Sequence, residues 1–423
     1  MPNTDFRQSE LGSFRRRALL KSGFDCEIAK GEDGTQGSER PAVGLFGLRL
    51  ETDATAEPRR EARRRPRILI EMPKGVPMSL DRERSDNADF GDDVLITSVG
   101  PRSYPLCIRP ASTALQQDID AAAGWVANNR PQLEALMVDV GAILFRGFPV
   151  ETSSDFDAFL AAFPDHDHGY VGGTSQRGKV TGRVMESTVA PPDRVIPIHQ
   201  EMAYSLSFPQ KLAFFCELPS PVGGETPICD MRELTAKMPR RLHDNVHTRG
   251  LKYWRHFRNA DHASGIAELD IVHRTWEQAF QTDDKDTIER QTLLMGSEFE
   301  WCETGIIISN NTRGFVIHPQ TGEDIWFNSI GGYGFSEHVI GKRLADLYEQ
   351  HYGPGRPLPF GVSYGDGESI DPKDIEPLYT VTEEIQVALP WQKGDISLLD
   401  NILMGHGRNT FSGERKIRVS LLH

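Results

Sequence analysis

Two residues near the middle of the chain have the types and the spacing of metal ligands. His199 and Glu201 are two positions apart, within the stretch Ile196 to Asp230. On an extended segment, the imidazole and the carboxylate would point to the same side of a strand. One further histidine would complete a set of two histidines and one carboxylate on one face of an octahedral metal. Such a set leaves three positions open and is typical of non-haem Fe(II) oxygenases.

The best candidate for the third ligand is His406, near the end of the chain. It follows an apolar segment typical of a buried strand, and a glycine flanks it on each side. Arg415 lies nine residues later, where we predict the second strand of a hairpin. Iron oxygenases of this type bind an oxo acid through its ketone and adjacent carboxylate, and a guanidinium best matches the far carboxylate. We therefore expect the last strand pair to supply both a metal ligand and a cosubstrate contact.

The composition is that of an acidic globular protein, for which we expect small-molecule or protein partners. The chain has 423 residues, of which 38% are hydrophobic, and a net charge of −14. This charge gives no general attraction for nucleic acid or for anionic membranes. No run of about 18 apolar residues occurs, so we expect no transmembrane helix. The five cysteines are scattered without a Cys-x-x-Cys pair, which, with no signal-peptide pattern, predicts a reducing, cytoplasmic location.

Two regions of different character predict an extension followed by a catalytic domain. Residues 1–95 are rich in Arg, Glu, Asp, Gly and Pro, and positions 51–68 form a mixed-charge run. We interpret residues 1–95 as an N-terminal extension that is partly disordered. In the predicted domain, residues 96–423, short strands and two or three helices precede a mostly β remainder. Within that remainder, single helices are predicted at 232–243 and 336–351.

Other histidines have weaker patterns. His166 and His168 are two positions apart in the polar, Gly-rich stretch 165–181. Because no carboxylate-bearing strand pattern follows them, we predict that this stretch is an exposed loop. His318 lies next to a turn between two short strand patterns, and we predict a structural role for it.

Three separated stretches of the chain carry the pattern of a known family. They are HQEMAYSLSFPQKLAFFCELPSPVGGETPICDMR, HPQTGEDIWFN and WQKGDISLLDNILMGHGRNTFSGERKIRVSL. With these stretches in family order over roughly residues 100–423, the chain resembles the taurine/2,4-D dioxygenase (TauD/TfdA-like) superfamily of Fe(II)- and 2-oxoglutarate-dependent oxygenases. The resemblance is closest to the branch with His-x-Glu in place of His-x-Asp. That branch includes clavaminate-synthase-like enzymes and syringomycin-type amino-acid hydroxylases.

The resemblance implies a fold and a set of roles. The fold would be mainly β with flanking helices, built on a double-stranded β-helix (jelly-roll) core. His199, Glu201 and His406 match the family's ligands for Fe(II), with 2-oxoglutarate and O2 as cosubstrates. Thr226 matches the threonine that hydrogen-bonds 2-oxoglutarate, and Arg415 matches the arginine that pairs with its distal carboxylate. Halogenases of the superfamily have a small residue at the carboxylate position, which allows chloride to bind the iron. Because this chain has Glu201 there, the resemblance disfavours a halogenase.

Five further residues are candidates for contacts with the substrate: Arg408, Arg418, Tyr204, Asn328 and Glu186. Arg408 fits a cosubstrate contact, a substrate contact or a structural ion pair equally well. Arg418 is the alternative to Arg415 at the cosubstrate, and strand alternation places these two on opposite faces. For the other three candidates, packing is the competing role.

The resulting hypothesis is a 2-oxoglutarate-dependent oxygenase that hydroxylates an aliphatic C–H of a small molecule and releases succinate and CO2. The substrate class we predict is an amino acid or an amino-acid-derived metabolite, as in natural-product biosynthesis. Two alternatives stay open at the sequence level. One is the same iron chemistry diverted to desaturation or cyclisation, and the other is a jelly-roll protein that binds a metal or ligand without turnover. The oligomeric state is not predicted.

Overall fold

The computed structural model describes residues 90–167, 177–188, 190–334, 337–353 and 356–423. Nearly all of the predicted extension, residues 1–95, therefore lies outside the described residues. The first described strand begins at Val94, next to the predicted start of the domain. No helix among the described residues is long and apolar enough to cross a bilayer.

Short strands alternate with short helices along the described chain. The strands are β1 (Val94–Ser98), β2 (Leu106–Pro110), β3 (Ala142–Phe145), β4 (Lys179–Thr181), β5 (Val184–Glu186), β6 (Ile196–His199), β7 (Lys211–Leu218), β8 (Val222–Gly223), β9 (Ile228–Asp230), β10 (Leu251–Arg258), β11 (Glu298–Cys302), β12 (Gly305–Thr312), β13 (Phe315–Ile317), β14 (Asp324–Trp326), β15 (Phe360–Tyr364), β16 (Ile396–Asp400), β17 (Met404–Arg408), β18 (Phe411–Ser412) and β19 (Lys416–Leu422). The α-helices span Thr113–Gln117, Ile119–Asn128, Arg130–Val140, Ser153–Phe159, Met231–Lys237, Arg240–Arg249, Ala267–Val272, Trp276–Phe280, Lys285–Leu294, Glu337–Ile340, Lys342–His351 and Pro372–Ile385.

Two helices that the sequence predicts as continuous are each divided. The helix predicted at 232–243 is divided at Pro239, which has no backbone N–H to donate to a preceding turn. The helix predicted at 336–351 is interrupted at Gly341, whose φ of +76° lies in the left-handed region. Both segments are helical as predicted, and each contains an interruption that the sequence analysis does not predict.

An eight-stranded sheet forms the larger wall of the core. Its strand order is β1-β2-β3-β16-β7-β19-β5-β4. The central strands β3, β16 and β7 have the sequences AILF, ISLLD and KLAFFCEL, and nearly all of their residues are buried. Short continuous apolar runs of this kind are typical of strands covered on both faces.

Different parts of the chain cover the two faces of this sheet. Successive residues of a strand point to opposite faces, so Phe215 faces one side and Phe214 the other. Phe215 packs in a cluster with the helices 119–128, 130–140 and 153–159. Phe214 belongs to a second apolar cluster on the opposite face. These three helices therefore cover the outer face of the sheet. The candidate site lies on the opposite, inner face.

A three-stranded sheet with the order β6-β17-β9 shares this second cluster. Its central strand β17 runs antiparallel to both neighbours. Met404 of β17 and Leu399 of β16 lie in the same cluster, and the ring of Phe214 is 5.1 Å from that of His406. Two sheets packed over one core are the arrangement of a double-stranded β-helix, which confirms the fold class that the resemblance implies.

The segment between β9 and β16 adds a further layer beside this core. It contains a four-stranded sheet with the order β11-β12-β10-β15. Phe257 and Ile306 of this sheet form an apolar cluster with Trp276 and Phe280 of a nearby helix. The sequence analysis assigned no chemistry to this segment, but its helix 267–272 reaches the wall of the cavity described below.

Candidate metal centre

Antiparallel strand pairing brings together the two histidines of the predicted ligand set. His406 on β17 is the direct cross-strand partner of His199, the last residue of β6. The centroids of their rings are 4.4 Å apart. A Cβ atom at the adjacent Gly407 would lie 2.6 Å from the backbone oxygen of Ile196. A glycine at this position therefore lets the two strands approach closely.

The carboxylate of Glu201 reaches the histidines from a turn. β6 ends at His199, and the chain turns at once, with a φ of +56° at Met202. Strand alternation is therefore the wrong explanation for the convergence of His199 and Glu201, although the two side chains do converge. Asn401 fixes the backbone of Glu201: its Oδ1 accepts from the Glu201 N–H at 2.8 Å, and its Nδ2 donates to the Glu201 oxygen at 3.0 Å.

The three residues offer donor atoms at metal-binding separations. One atom from each of His199, Glu201 and His406 lies within 4.8 Å of the other two. Nδ1 of His199 is 2.9 Å from the carbonyl oxygen of Pro197, a contact that places the ring proton on Nδ1 and leaves a lone pair on Nε2. Nε2 of His406 is 3.7 Å from Oε2 of Glu201. Two ligand atoms at about 2.1 Å from a shared metal are about 3 Å apart at right angles and about 4.2 Å apart when opposite, so this separation fits a shared ion.

The electrostatics of the centre also fit a bound cation. Burial holds the pKa of His406 well below its ordinary value, and the charges of His199 and Arg177 lower it further. A neutral imidazole keeps the lone pair that a metal ligand needs. Glu201 is buried, and its Oε2 accepts a hydrogen bond from Nη2 of Arg177 at 2.7 Å. Two imidazoles and one carboxylate are the donors of non-haem iron sites, so these residues fit Fe(II).

A half-buried cation, Arg415, lies beside Thr226. Its Nε donates to the carbonyl oxygen of Gly224 at 2.9 Å, and its Nη2 donates to Oγ1 of Thr226 at 3.4 Å. Burial, followed by the charge of Arg408, lowers the pKa of Arg415 to about 10, so it stays charged at neutral pH. No carboxylate of the described residues lies within 4.0 Å of this guanidinium. A partly desolvated cation without an anionic partner in the described chain is suited to an anionic ligand.

Trp391, which the sequence analysis did not single out, determines the direction of the Thr226 hydroxyl. Its indole Nε1 donates to Oγ1 of Thr226 at 3.1 Å, and Arg415 donates to the same oxygen. A hydroxyl has two acceptor lone pairs and one proton. With both lone pairs occupied, the O–H of Thr226 is left to donate to a cavity ligand. The contact joins residues 165 positions apart, and so no local sequence pattern could have revealed it.

One cavity of about 410 Å³ is lined both by the two histidines and by Arg415. His199, His406, Thr226 and Arg415 all line it. The volume is in the range of sites for small organic ligands. Four of the five residues predicted to bind metal or cosubstrate thus line one cavity, and the fifth, Glu201, lies beside His406.

Of the five predicted substrate contacts, Arg408 is the one that lines this cavity in the described chain. Its guanidinium donates to the backbone oxygens of Ala190, Pro191 and Arg194. Arg408 therefore holds the segment before β6 in place. Of the three roles left open by the sequence, a structural one agrees best with these contacts, although its partners are carbonyl groups and not a carboxylate.

Arg418 pairs with two carboxylates, Glu186 and Glu217, and none of these three residues lines the described cavity. Nε of Arg418 lies 2.6 Å from Oε2 of Glu217, and its Nη1 lies 3.7 Å from Oε1 of Glu186. Arg418 thus points away from the cavity that Arg415 lines. Strand alternation does not explain this difference, because Arg415 precedes β19 and the register shifts after Lys416. The carboxylate partners of Arg418 leave Arg415 as the cavity-facing arginine of this segment.

Tyr204 and Asn328 have packing roles in the described structure. The ring of Tyr204 lies 5.4 Å from that of Tyr333, and the guanidinium of Arg255 lies 5.1 Å from the Tyr204 centroid. Nδ2 of Asn328 donates to the backbone oxygen of Gly314 at 2.9 Å. Both Tyr204 and Asn328 are buried, and neither lines the described wall of the cavity. The sequence shows that such residues are polar, but it does not show which surface they face.

Two of the other histidines named in the sequence analysis, His318 and His166, are buried away from the metal donors. His318 is buried with its Nε2 3.1 Å from Oδ2 of Asp400, which confirms the predicted structural role. The prediction that the loop containing His166 is exposed is wrong for His166 itself. That residue is buried because its backbone N–H donates to the oxygen of Leu421 in the last strand. His168 lies outside the described residues.

Comparison with known proteins agrees with the geometry. Residues 108–421 match the model of the family described as taurine catabolism dioxygenase TauD, TfdA family. A clavaminate synthase-like protein of Arabidopsis thaliana is 30% identical over 334 residues, which cover 76% of this chain and 94% of that protein. The dapdiamide synthesis protein DdaC of Enterobacter agglomerans is 27% identical over 304 residues, which cover 72% of this chain and 88% of that protein.

A solved structure is also similar to this chain. The crystal structure of PvcB from Pseudomonas aeruginosa has a TM-score of 0.42 and 14% identity, covering 80% of this chain and 94% of that one. A TM-score of this size does not support a comparison of function.

The fold and the site together define a 2-oxoglutarate-dependent dioxygenase. The chain belongs to the taurine catabolism dioxygenase TauD, TfdA family. It uses Fe(II), with 2-oxoglutarate and O2 as cosubstrates, and acts on a small molecule. The alternative of a non-catalytic jelly-roll protein is therefore rejected.

Trp391→Phe tests the orientation of the Thr226 hydroxyl. Loss of one neutral hydrogen bond should weaken 2-oxoglutarate binding by about 2- to 10-fold. Calorimetric titration of the Mn(II)-loaded protein without O2 measures this directly. Trp301→Phe is the matched control, because the Trp301 indole donates to Glu289 at 2.7 Å, away from the cavity. Equal affinity in the Trp391 variant and the parent would show that this contact has no role in cosubstrate binding.

Proposed function

We propose that the enzyme hydroxylates an aliphatic carbon of an amino acid or an amino-acid-derived small molecule, releasing succinate and CO2. The observation that carries the proposal is the composition of the cavity wall. Two histidines of the metal-donor set line the same cavity as the half-buried Arg415, which has no carboxylate partner among the described residues. The relative named for dapdiamide synthesis supports a role in natural-product biosynthesis.

In this proposal, His199, Glu201 and His406 hold the iron. When bound, Fe(II) supplies the activation of O2 that couples decarboxylation of 2-oxoglutarate to oxidation of a C–H bond. The chain's own residues fix the geometry of the ligands. The pairing of β6 with β17 sets the two imidazoles, and Asn401 holds the backbone of the carboxylate ligand.

Arg415 and Thr226 bind 2-oxoglutarate in this proposal. The guanidinium pairs with the distal carboxylate of the cosubstrate through charge-assisted hydrogen bonds. The Thr226 hydroxyl donates to the same cosubstrate, because Trp391 and Arg415 occupy its two lone pairs. Binding of this dianion compensates a charge that burial otherwise leaves without an anionic partner in the described chain.

The remaining wall is suited to a substrate with an aliphatic part and an acidic group. Ile196, Phe214 and Ile417 line the cavity with apolar surface, which helps to exclude water from the reacting carbon. The half-buried Arg194 adds a positive charge to the same wall. An amino-acid carboxylate is an anion of a size and charge that this arginine can bind.

We also infer that the enzyme is cytoplasmic, binds neither nucleic acid nor membranes, and carries residues 1–95 as an extension of its catalytic domain. The net charge of −14 supports the inference on nucleic acid and anionic membranes. The cysteines of the described residues, Cys107, Cys216, Cys229 and Cys302, are free thiols, as is usual in a reducing compartment.

Product analysis tests the proposed reaction. The enzyme is incubated with Fe(II), 2-oxoglutarate and O2, and with single amino acids or short amino-acid conjugates, and mass spectrometry measures succinate and product. We expect a productive substrate to raise succinate formation and to gain one oxygen atom, and we expect His406→Ala to abolish both. A product that has lost two hydrogens would instead identify desaturation or cyclisation. His262→Ala is the control, because His262 is exposed and pairs with Asp261.

If acidic amino compounds left succinate formation unchanged while substrates without a carboxylate raised it, the proposed substrate class would be wrong. Full activity in His406→Ala would contradict the proposed ligand set.

Replacing Arg415 by methionine tests the assignment of the cosubstrate site. Loss of charge-assisted hydrogen bonds should raise the KM for 2-oxoglutarate on the order of 10- to 100-fold. Arg418→Met provides the matched control, because its partners are Glu217 and Glu186 and it does not line the cavity. Steady-state succinate assays over a range of 2-oxoglutarate concentrations compare the two variants. The assignment fails if the KM rises in Arg418→Met and not in Arg415→Met.

A further inference from the structure

Arg177 binds a carboxylate oxygen that lies within the metal-donor cluster. Its Nη2 donates to Oε2 of Glu201 at 2.7 Å, and the two side chains are only 8% and 4% exposed. The same Oε2 lies 3.7 Å from Nε2 of His406. The guanidinium and a metal ion are therefore competitors for one oxygen.

The backbone beside Arg177 is anchored in the fold. The oxygen of Gly178 accepts a hydrogen bond from the backbone N–H of Glu186 at 2.8 Å, which ties this segment to β5. A Cβ atom at Gly178 would lie 2.9 Å from Oε2 of Glu186, so the close approach suits a glycine. Arg177 itself lines the cavity that His199 and His406 also line. Its position at the centre thus follows from strand packing.

The charges next to the Glu201 carboxylate indicate the role of its ion pair with Arg177. A buried carboxylate without a nearby cation is strongly unfavourable. In the metal-free protein, Arg177 supplies that cation to Glu201. A divalent ion at the same carboxylate supplies the charge instead and repels the guanidinium. Arg177 therefore stabilises the metal-free protein more than the metal-bound protein.

We propose that Arg177 is a positioning residue that holds the Glu201 carboxylate in place of the metal and thereby weakens the affinity of the centre for divalent ions. This inference rests on the ligand set proposed above. Removal of the guanidinium should tighten metal binding, since the metal no longer displaces a competing cation. Removal of an ordinary supporting contact has the opposite effect and typically weakens metal binding by 10- to 100-fold. The sign of the change therefore separates the two roles.

Titration with Co(II) tests this inference without turnover. Isothermal calorimetry on the full-length, metal-stripped protein, without O2 or 2-oxoglutarate, compares Arg177→Met and Arg177→Lys with the parent. Because a nearby positive charge is removed, we expect Arg177→Met to bind Co(II) on the order of tenfold more tightly, with a lower Tm before metal addition and a larger rise in Tm after it. Arg177→Lys keeps the charge and should stay close to the parent in all three measurements. If Arg177→Met does not fold, Arg177→Gln removes the same charge and should shift the affinity in the same direction.

Arg183→Met is the matched control. Arg183 follows Arg177 by six positions in the chain and pairs with Asp157 and Asp165, and it does not line the described cavity wall. Its loss should lower Tm equally with and without Co(II) and leave the affinity unchanged. Weaker or unchanged Co(II) binding in the uncharged Arg177 variants would overturn the inference. Undiminished binding in Glu201→Gln would instead overturn the proposed ligand set, so the two failures are distinguishable.

Discussion

The centre depends on the antiparallel pairing of β6 with β17. This pairing makes His199 and His406 direct cross-strand partners, although they come from the middle and the end of the chain. The turn that follows β16 adds a second link, because Asn401 binds both the N–H and the oxygen of Glu201. Asn401 is fully buried and also donates to the oxygen of Pro209. Strand register and one amide side chain thus place all three proposed ligands from two distant segments.

Buried charge is the second constraint on the cavity. A charged group taken from water needs a partner, and three arginines of the wall meet this need differently. Arg408 binds backbone oxygens, and Arg177 binds the carboxylate of Glu201. Arg415 binds one carbonyl oxygen and one hydroxyl, with no carboxylate of the described residues in reach. The difference explains why Arg415 is suited to bind a dianionic cosubstrate, whereas Arg408 supports the wall.

Much of the fold and part of the site could be predicted from the sequence, for physical reasons. The apolar runs of the central strands indicate buried strands. The family resemblance carried by the separated motifs around His199 and His406 implies the jelly roll and the convergence of the ligands. Contacts between distant side chains leave no local pattern, and so Arg177 and Trp391 were missed. The turn that carries Glu201 was also missed, because a His-x-Glu spacing fits a strand and a strand end equally well. Polarity alone does not show which surface a residue faces, and most predicted substrate contacts therefore lie outside the cavity.

The central claim is that one cavity binds the metal through the two paired strands and binds 2-oxoglutarate through Arg415. A crystal structure with Mn(II) and the 2-oxoglutarate analogue N-oxalylglycine tests it most directly. The predicted result is a metal bound by Nε2 of His199, a carboxylate oxygen of Glu201 and Nε2 of His406, with the distal carboxylate of the analogue on Arg415 and Thr226. A metal bound by other residues, or an analogue whose carboxylate pairs with a different arginine, would contradict the claim.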